Sequence, residues 1–457
     1  MATAVTGKRG KAPPGPSSSN FLGVMPEYQK DPLAFYLKAQ RQYGELVRFR
    51  AMPGFYWYMA SSPDYVEHIL SRRQQNYRKP DFFLKSVGTL AGDGLLTSEG
   101  DVWMRQRRLA QPAFHRQRLA ELCSVMAASA NEIADQWAER AERGEAFNVA
   151  DEMIRLTLKI VGLALFGMDL SGGADAIGKA VKEVLAQINE WMSGPFMIPL
   201  WVPLPQHRRF IETRRQLDEL VYRVIRERRE SGSAQCDLLS MLLQARDEET
   251  GAVMSDKHLR DEVFTLILAG FETTASALAW TWMLVGQHPD AEAKLHEEVD
   301  RVLGDRLAGF NDLASLEYTR MVFEESLRLY PPAWGVPRQA IEEDEIGEYR
   351  IPAGSVFAVS QWATHRNPKY WDNPDKFDPE RFTPERSAGR PRFAYFPFGA
   401  GARQCIGNNF AIMETQLVIA SIARRYRLEL VPGQDFSPDP TFALKPRHGV
   451  MVKAIKR

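Results

Sequence analysis

The sequence predicts a mainly α-helical chain with small antiparallel β-sheets, an α+β architecture. Three observations carry that expectation. From about residue 63 to 328, apolar residues recur at three- and four-residue spacing, the period of helices with one buried face. Alternating, strand-like segments are short, stand near the two ends of the chain, and are broken by Pro and Gly turns. The composition is that of a globular protein: 457 residues, 44% apolar and 25% charged, enough to bury a large core without disulfides.

The elements follow in order. The first twenty residues, MATAVTGKRGKAPPGPSSSN, are small, polar and Pro/Gly/Ser-rich. They predict a disordered lead-in over 1–20, followed by a single domain over 21–457, since no interior linker or repeat interrupts the rest. Nothing resembles a signal sequence, and polar residues interrupt the most apolar stretches, at 154–166 and 264–269. A membrane span needs roughly 18 apolar residues, so a soluble protein with no membrane anchor is expected. Strands are predicted at 46–50 and 55–60, about the turn Pro53-Gly54, and long helices at 119–143 and 211–230. The longest helix should run over 256–287, with Ser255 able to cap its start and His288-Pro289 stopping it. At its centre, after Ala269-Gly270, stand Glu272, Thr273 and Thr274. Two readings stay open there: a solvated stripe with hydroxyls bonded to backbone carbonyls, or a polar notch where something approaches the backbone closely. Gly270 weakens the helix by about 1 kcal/mol in either case. Further on, 345–362 alternates like strand with a turn at 352–354, and 442–452 reads as a hairpin turning near 446–449.

Charge and cysteine usage exclude several functions. Lys plus Arg number 58 and Asp plus Glu number 58, so the chain lacks the basic excess of a broad nucleic-acid binder. Cys123, Cys236 and Cys405 are odd in number, far apart and without a CxxC pair, which argues against a disulfide framework or structural zinc. A reducing, cytoplasmic location is expected.

Cys405 stands in the segment FAYFPFGAGARQCIGNNFA, residues 393–411, among Gly399, Gly401 and Gly407 and just before a helical pattern over 406–425. A phosphate-binding GxGxxG would need glycine where Gln404 stands, and no GK[ST] follows. Free cysteines are most often inert core. Here a helix start and loop amides would stabilise a thiolate. The glycines let backbone lie close to a flat ligand, and a single axial thiolate suits haem iron.

The run from Phe398 to Gly407, FGAGARQCIG, matches FxxGxRxCxG, the haem-binding signature of the cytochrome P-450 superfamily. Four further segments resemble the family's motifs in the family's order: Trp103-Met104-Arg105-Gln106-Arg107 (WxxxR), Ala269–Thr274 (oxygen activation), Glu325-Ser326-Leu327-Arg328 (ExxR) and Phe377–Phe382 (PERF). The resemblance spans nearly the whole chain. It implies a triangular, helix-rich prism with haem b (iron protoporphyrin IX) between the long central helix and the Cys-loop helix. It makes Cys405 the proximal iron ligand and sets Phe398 and Gly399 in the haem-binding loop. Trp103, Arg107, Arg338 and Arg403 would bind the haem propionates. Glu325, Arg328 and Arg381 would form a buried network that holds the cysteine loop. Glu272 and Thr273 would deliver protons in the reaction O₂ + 2e⁻ + 2H⁺ + RH → ROH + H₂O.

The same resemblance places Leu96, Phe264, Ala269, Ala333, Trp334 and Phe442 around a lipophilic substrate. Some fatty-acid hydroxylases of the family carry Arg and Tyr on the early strand, whereas this strand offers Phe55 and Met59. That favours a neutral terpenoid, steroid or aromatic substrate, with fatty acids held otherwise still open. Too few residues follow Cys405 for a fused reductase, so electrons are expected from a separate ferredoxin or flavodoxin with its NAD(P)H reductase. Arg105, Arg107, Arg108, Arg116 and Arg118 form a basic run that would suit such an acidic partner. A monomer is expected. The alternatives are a peroxide-driven peroxygenase or isomerase, whose known examples commonly lack the Glu-Thr pair, and a non-catalytic haem sensor.

Overall fold

The structure, a computed structural model, describes residues 10–17, 20–169, 183–184, 187–188, 190–191, 198–231, 237–246, 251 and 253–457. The chain forms two compact units interleaved in sequence. One comprises Met1–Asp81, Ala333–Asp375 and Gly389–Cys405; the other comprises Phe82–Pro332, Lys376–Ala388 and Ile406–Arg457.

The first unit is built on a five-stranded sheet in the order Leu46–Met52, Phe55–Ala60, Val356–Val359, Val336–Ala340, Tyr77–Arg78. Neighbours run antiparallel except Phe55–Ala60 with Val356–Val359, which run parallel. The first two strands form the expected hairpin about Gly54, whose φ of +80° only glycine adopts without strain. Alternation sorts the side chains: Val47, Phe49 and Met59 enter a buried cluster with Phe35 and Tyr36 of helix Pro32–Tyr43. Asp31 caps that helix, accepting from the amides of Leu33 (3.1 Å) and Ala34 (2.9 Å).

Two segments here depart from the sequence reading. The alternation over 345–362 is two structures. Asp344–Ile346 and Tyr349–Ile351 make a hairpin of their own about Gly347 (φ +61°). The main-sheet strand then ends at Ser360, whose Oγ accepts from Ala363 N–H and starts the short helix Gln361–Thr364. The lead-in is not disordered throughout. Residues 10–17 are extended, the Lys11 carbonyl accepts from Arg350 N–H (3.0 Å) and the Pro14 carbonyl accepts from Arg48 N–H (2.8 Å). A Cβ at Gly15 would stand 1.8 Å from the Arg48 oxygen, so the small residue is required. Open backbone groups of other strands order a segment that has little apolar surface of its own. Residues 1–9 and 18–19 lie outside the described residues.

The second unit is organised around the helix Asp256–Gln287, with the predicted bounds; Ser255 Oγ accepts from His258 N–H at 3.3 Å. By length and apolar content this helix would pass for a membrane span, contrary to the expectation that no stretch would, yet 72% of its most apolar window is buried inside the protein. Trp280 and Trp282 are among the largest fully buried side chains. The 119–143 pattern is two helices, Arg116–Gln136 and Ala138–Arg143, broken at Trp137, whose indole N–H donates to Glu152 Oε2. The 211–230 pattern extends to Pro205–Ser231. The 442–452 hairpin does not form. Leu444–Pro446 pairs instead with Pro438–Pro440, and Met451–Lys456 lies between Tyr426–Leu430 and Ala146–Asn148. Both Ser276 and Trp280 of the central helix donate to the Leu444 carbonyl, which supplies that strand with a partner other than the expected one.

Candidate active site

Within the first unit, the cysteine loop is held by backbone bonds. Cys405 N–H donates to the Phe398 carbonyl (2.9 Å), and Gly399 N–H donates to Phe396 (2.9 Å), so the loop folds back on itself across the motif. Phe396 N–H donates to Nε2 of the buried His365 (3.0 Å). Gly399 and Gly401 have φ of +70° and +69°. Gly401 has a second reason to be glycine, because a Cβ there would stand 1.8 Å from the Leu70 carbonyl oxygen. The next amide, Ala402 N–H, donates to Gln74 Oε1 (2.8 Å). Cys405 is exposed, unlike the buried Cys123, whose thiol burial pushes up to about 11. Phe398 and Arg403 are partly exposed. Arg338 is a nearly buried cation on strand Val336–Ala340, and one of its bonds is to the Pro337 carbonyl (2.8 Å). The helix expected after Cys405, over 406–425, belongs to the second unit and runs over Asn408–Arg425.

Within the second unit, Trp103 and Arg107 are four apart on helix Gly100–Ala110, hence on one face, and both are partly exposed. Between Lys257 and Gln287 the central helix has one exposed residue, Ala269. Thr273, one turn on, is partly exposed and donates to the Ala269 carbonyl (2.6 Å). Glu272 is buried, its Oε2 has no hydrogen-bond partner, and burial pushes its carboxyl above the usual range while the charge of Lys445 pulls it part of the way back. Both sequence readings of this turn contain part of the truth. The Thr273 hydroxyl does bond a backbone carbonyl, and a close approach does occur. What approaches Gly270 is another helix: a Cβ there would stand 3.0 Å from Val161 Cγ2 of Val149–Phe166. From the same helix Thr157 donates to the Phe271 carbonyl (3.0 Å).

The ExxR and PERF residues meet in this unit. Arg328 donates to both oxygens of Glu325, from Nε (2.7 Å) and Nη2 (2.8 Å), and both side chains are fully buried. Arg381 Nε stands 3.3 Å from Glu325 Oε1, which also accepts from Asp378 N–H (2.9 Å). Burial lowers the Arg381 pKa despite the carboxylate beside it.

The pocket residues divide. Leu96 and Phe442 are partly buried against the core that contains Phe264. The Phe264 ring lies under the Arg260 guanidinium (4.3 Å) and lines a small apolar cavity of about 40 Å³ with Leu90, Val221 and Val263. Ala269 and Ala333 are exposed. Trp334, expected as a pocket wall, has its ring against Tyr36 (centroids 6.1 Å) in the aromatic cluster of the first unit. Of the basic run, Arg108 and Arg118 are exposed and Arg118 pairs with Glu121 (3.2 Å); the Arg116 side chain lies outside the described residues. Sequence reasoning missed His365, Gln74, Thr157 and Lys445, because each acts on a partner far along the chain and leaves no local pattern.

Comparison with known proteins gives a consistent result. The family model described as cytochrome P-450 matches residues 13–454. Cyclooctatin synthase of Streptomyces melanosporofaciens is 38% identical over 91% of this chain and 89% of its own length. Cyclooctat-9-en-7-ol 5-monooxygenase of the same organism is 37% identical over 94% of each chain. Pentalenene oxygenase of Streptomyces avermitilis is 31% identical over 93% of this chain and 92% of its own. The crystal structure of a haem domain (cytochrome P-450DA) superposes with a TM-score of 0.87 at 28% identity, covering 98% of this chain and 99% of that one.

Proposed function

The chain belongs to the cytochrome P-450 family and is a haem b monooxygenase; from that premise we propose that it oxidises a neutral terpenoid, using electrons from a separate acidic protein. The observation that carries the chemistry is the exposed Cys405 thiol on a loop locked by Gly399, Gly401 and the Phe398 carbonyl. The other residues fit the group as well: cations at Arg338 and Arg403, an indole at Trp103 and Arg107 on its face suit two carboxylates. The names of the relatives support the terpenoid class, as do the apolar residues around Leu96 and Phe442. Trp334, packed on Tyr36, is left out of the proposed pocket.

Bound haem supplies the oxygen chemistry, passing one atom of O₂ to the substrate and the other to water. In this proposal Cys405 would hold the iron as thiolate. Arg338, Arg403, Trp103 and Arg107 would bind the propionates, and Phe398 and Gly399 would belong to the haem-binding loop. Glu272 Oε2, buried and unpartnered, carries the proton at a pH closer to neutral than an exposed carboxylate would. The Thr273 hydroxyl, beside the exposed Ala269, holds the water that receives it. Glu325, Arg328 and Arg381 are structural. A cytoplasmic monomer served by a ferredoxin or flavodoxin is the proposed setting.

The test is a titration of the ferric protein with terpenes, steroids and fatty acids, followed by turnover of the binders. Terpenes should move the iron's spin state at the lowest concentration and be hydroxylated with reduced ferredoxin and O₂. Tighter binding and turnover of fatty acids, or turnover with peroxide alone, would replace this reading.

A further inference from the structure

The first turns of the central helix join the segment that carries Leu96 to the helix Pro205–Ser231. Asp261 Oδ2 accepts from Asp93 N–H (3.0 Å), and Glu262 Oε2 accepts from Leu95 N–H (3.1 Å). Lys257 bridges the carboxylates of Asp93 (2.8 Å) and Asp261 (2.9 Å). Arg260 donates to Asp261 (2.8 Å) and, through Nε, to Asp218 of the other helix (2.7 Å). The loop has no slack: a Cβ at Gly92 would stand 2.1 Å from Asp261 Oδ1, and one at Gly94 would stand 2.1 Å from Thr265 Oγ1. Its far end is tied to helix Gly100–Ala110, where Gln106 donates to the Asp93 carbonyl (2.6 Å).

We propose that Asp261 and Glu262 are positioning residues: they hang residues 92–98 from the central helix, fix where Leu96 sits, and so set the size of substrate admitted. The inference rests on the reading that Leu96 faces the substrate. Asp261 is held by two cations, whereas Glu262 Oε1 is buried without a partner. Burial, with the charge of Asp261 adding to it, pushes the Glu262 carboxyl up to about 7. The charged group that acts on it is Asp261, whose own charged partners are Lys257 and Arg260 on the same helix; these in turn hold Asp93 on the loop and Asp218 on Pro205–Ser231. Above that pH a second buried negative charge forms beside Asp261, and releasing the loop to water relieves it.

The experiment titrates ferric holoenzyme with imidazole and clotrimazole, a small and a bulky ligand of haem iron, and reads the ratio of the two dissociation constants. Glu262→Leu, which leaves Leu95 N–H without an acceptor, should shift the ratio about tenfold. Glu262→Gln keeps an acceptor and should hold the ratio within about twofold of the native protein below pH 7. The native ratio should drift as pH passes through about 7, and the Gln variant should be flat. If Leu96→Ala changes the ratio while Glu262→Leu does not, the positioning role is overturned and the Leu96 reading stands. If Leu96→Ala also leaves it unchanged, that reading fails and the proposal with it. Should Glu262→Leu fail to load haem, the pH profile decides: a Gln profile that drifts like the native one overturns the proposal.

Discussion

At the scale of single residues, the sharpest consequences come from fully buried charges. Glu325 and Arg328 are fully buried and bonded twice, so removing one leaves the other as an uncompensated charge at a cost of about 3–5 kcal/mol. Glu325→Ala should yield haem-free or insoluble protein, measured as the haem-to-protein absorbance ratio; normal haem content would refute the structural role. If the Thr273 hydroxyl, which bonds the Ala269 carbonyl, holds water for Glu272 as proposed, Thr273→Ala should keep substrate binding but divert electrons to peroxide. Product formed per electron consumed is the readout, and an unchanged yield would contradict the assignment. These residues were legible because their motifs are short and local in sequence. Glu262 was not: its partner Leu95 lies 167 residues away, and a lone Glu in an amphipathic pattern gives no sign of that.

At the scale of elements, legibility followed the range of the forces. The bounds of the central helix could be read because both stops are local, the Ser255 cap and His288-Pro289. Ser255→Ala should therefore lower stability by about 1 kcal/mol in thermal melts. The hairpin at 442–452 could not be read. Its two strands look adjacent in sequence but take partners at 438–440 and at 426–430 and 146–148, and central-helix side chains bond the Leu444 carbonyl between them. The contact of Trp334 with Tyr36 could not be read for the same reason, since Tyr36 lies about 300 residues earlier in the chain. The cysteine loop combines both kinds of determinant. Its glycines were visible, but the reason for Gly401, the Leu70 carbonyl, was not. Gly401→Ala should lose haem affinity through that clash. Gly54→Ala, at a similar φ of +80° with open space around it, should bear only the backbone strain of about 1–2 kcal/mol. Equal haem retention in the two variants would show that the Leu70 contact does not shape the loop.

At the scale of the whole molecule, composition excluded more than it identified: zero net charge and three scattered cysteines removed nucleic-acid, disulfide and zinc readings. One partly buried histidine gives the stability a dependence on acid. Burial holds His296 neutral, lowering its pKa from 6.5 to about 4, while its Nδ1 is bonded to the Ala423 carbonyl (3.0 Å). Stability from this group is complete above 6.5 and is lost as pH falls toward 4. Denaturant midpoints measured across that range should fall in the native protein and fall less steeply in His296→Gln; parallel slopes would count against it. If the basic run from Arg105 to Arg118 receives an acidic electron donor, turnover should weaken with added salt while substrate binding does not. The account as a whole stands on sulfur ligation by Cys405, and one spectrum addresses that directly. Reduced holoenzyme under carbon monoxide should show the red-shifted absorption band of thiolate-ligated haem, and Cys405→Ser should lack it. A native spectrum of the nitrogen-ligated kind would contradict the account at its root.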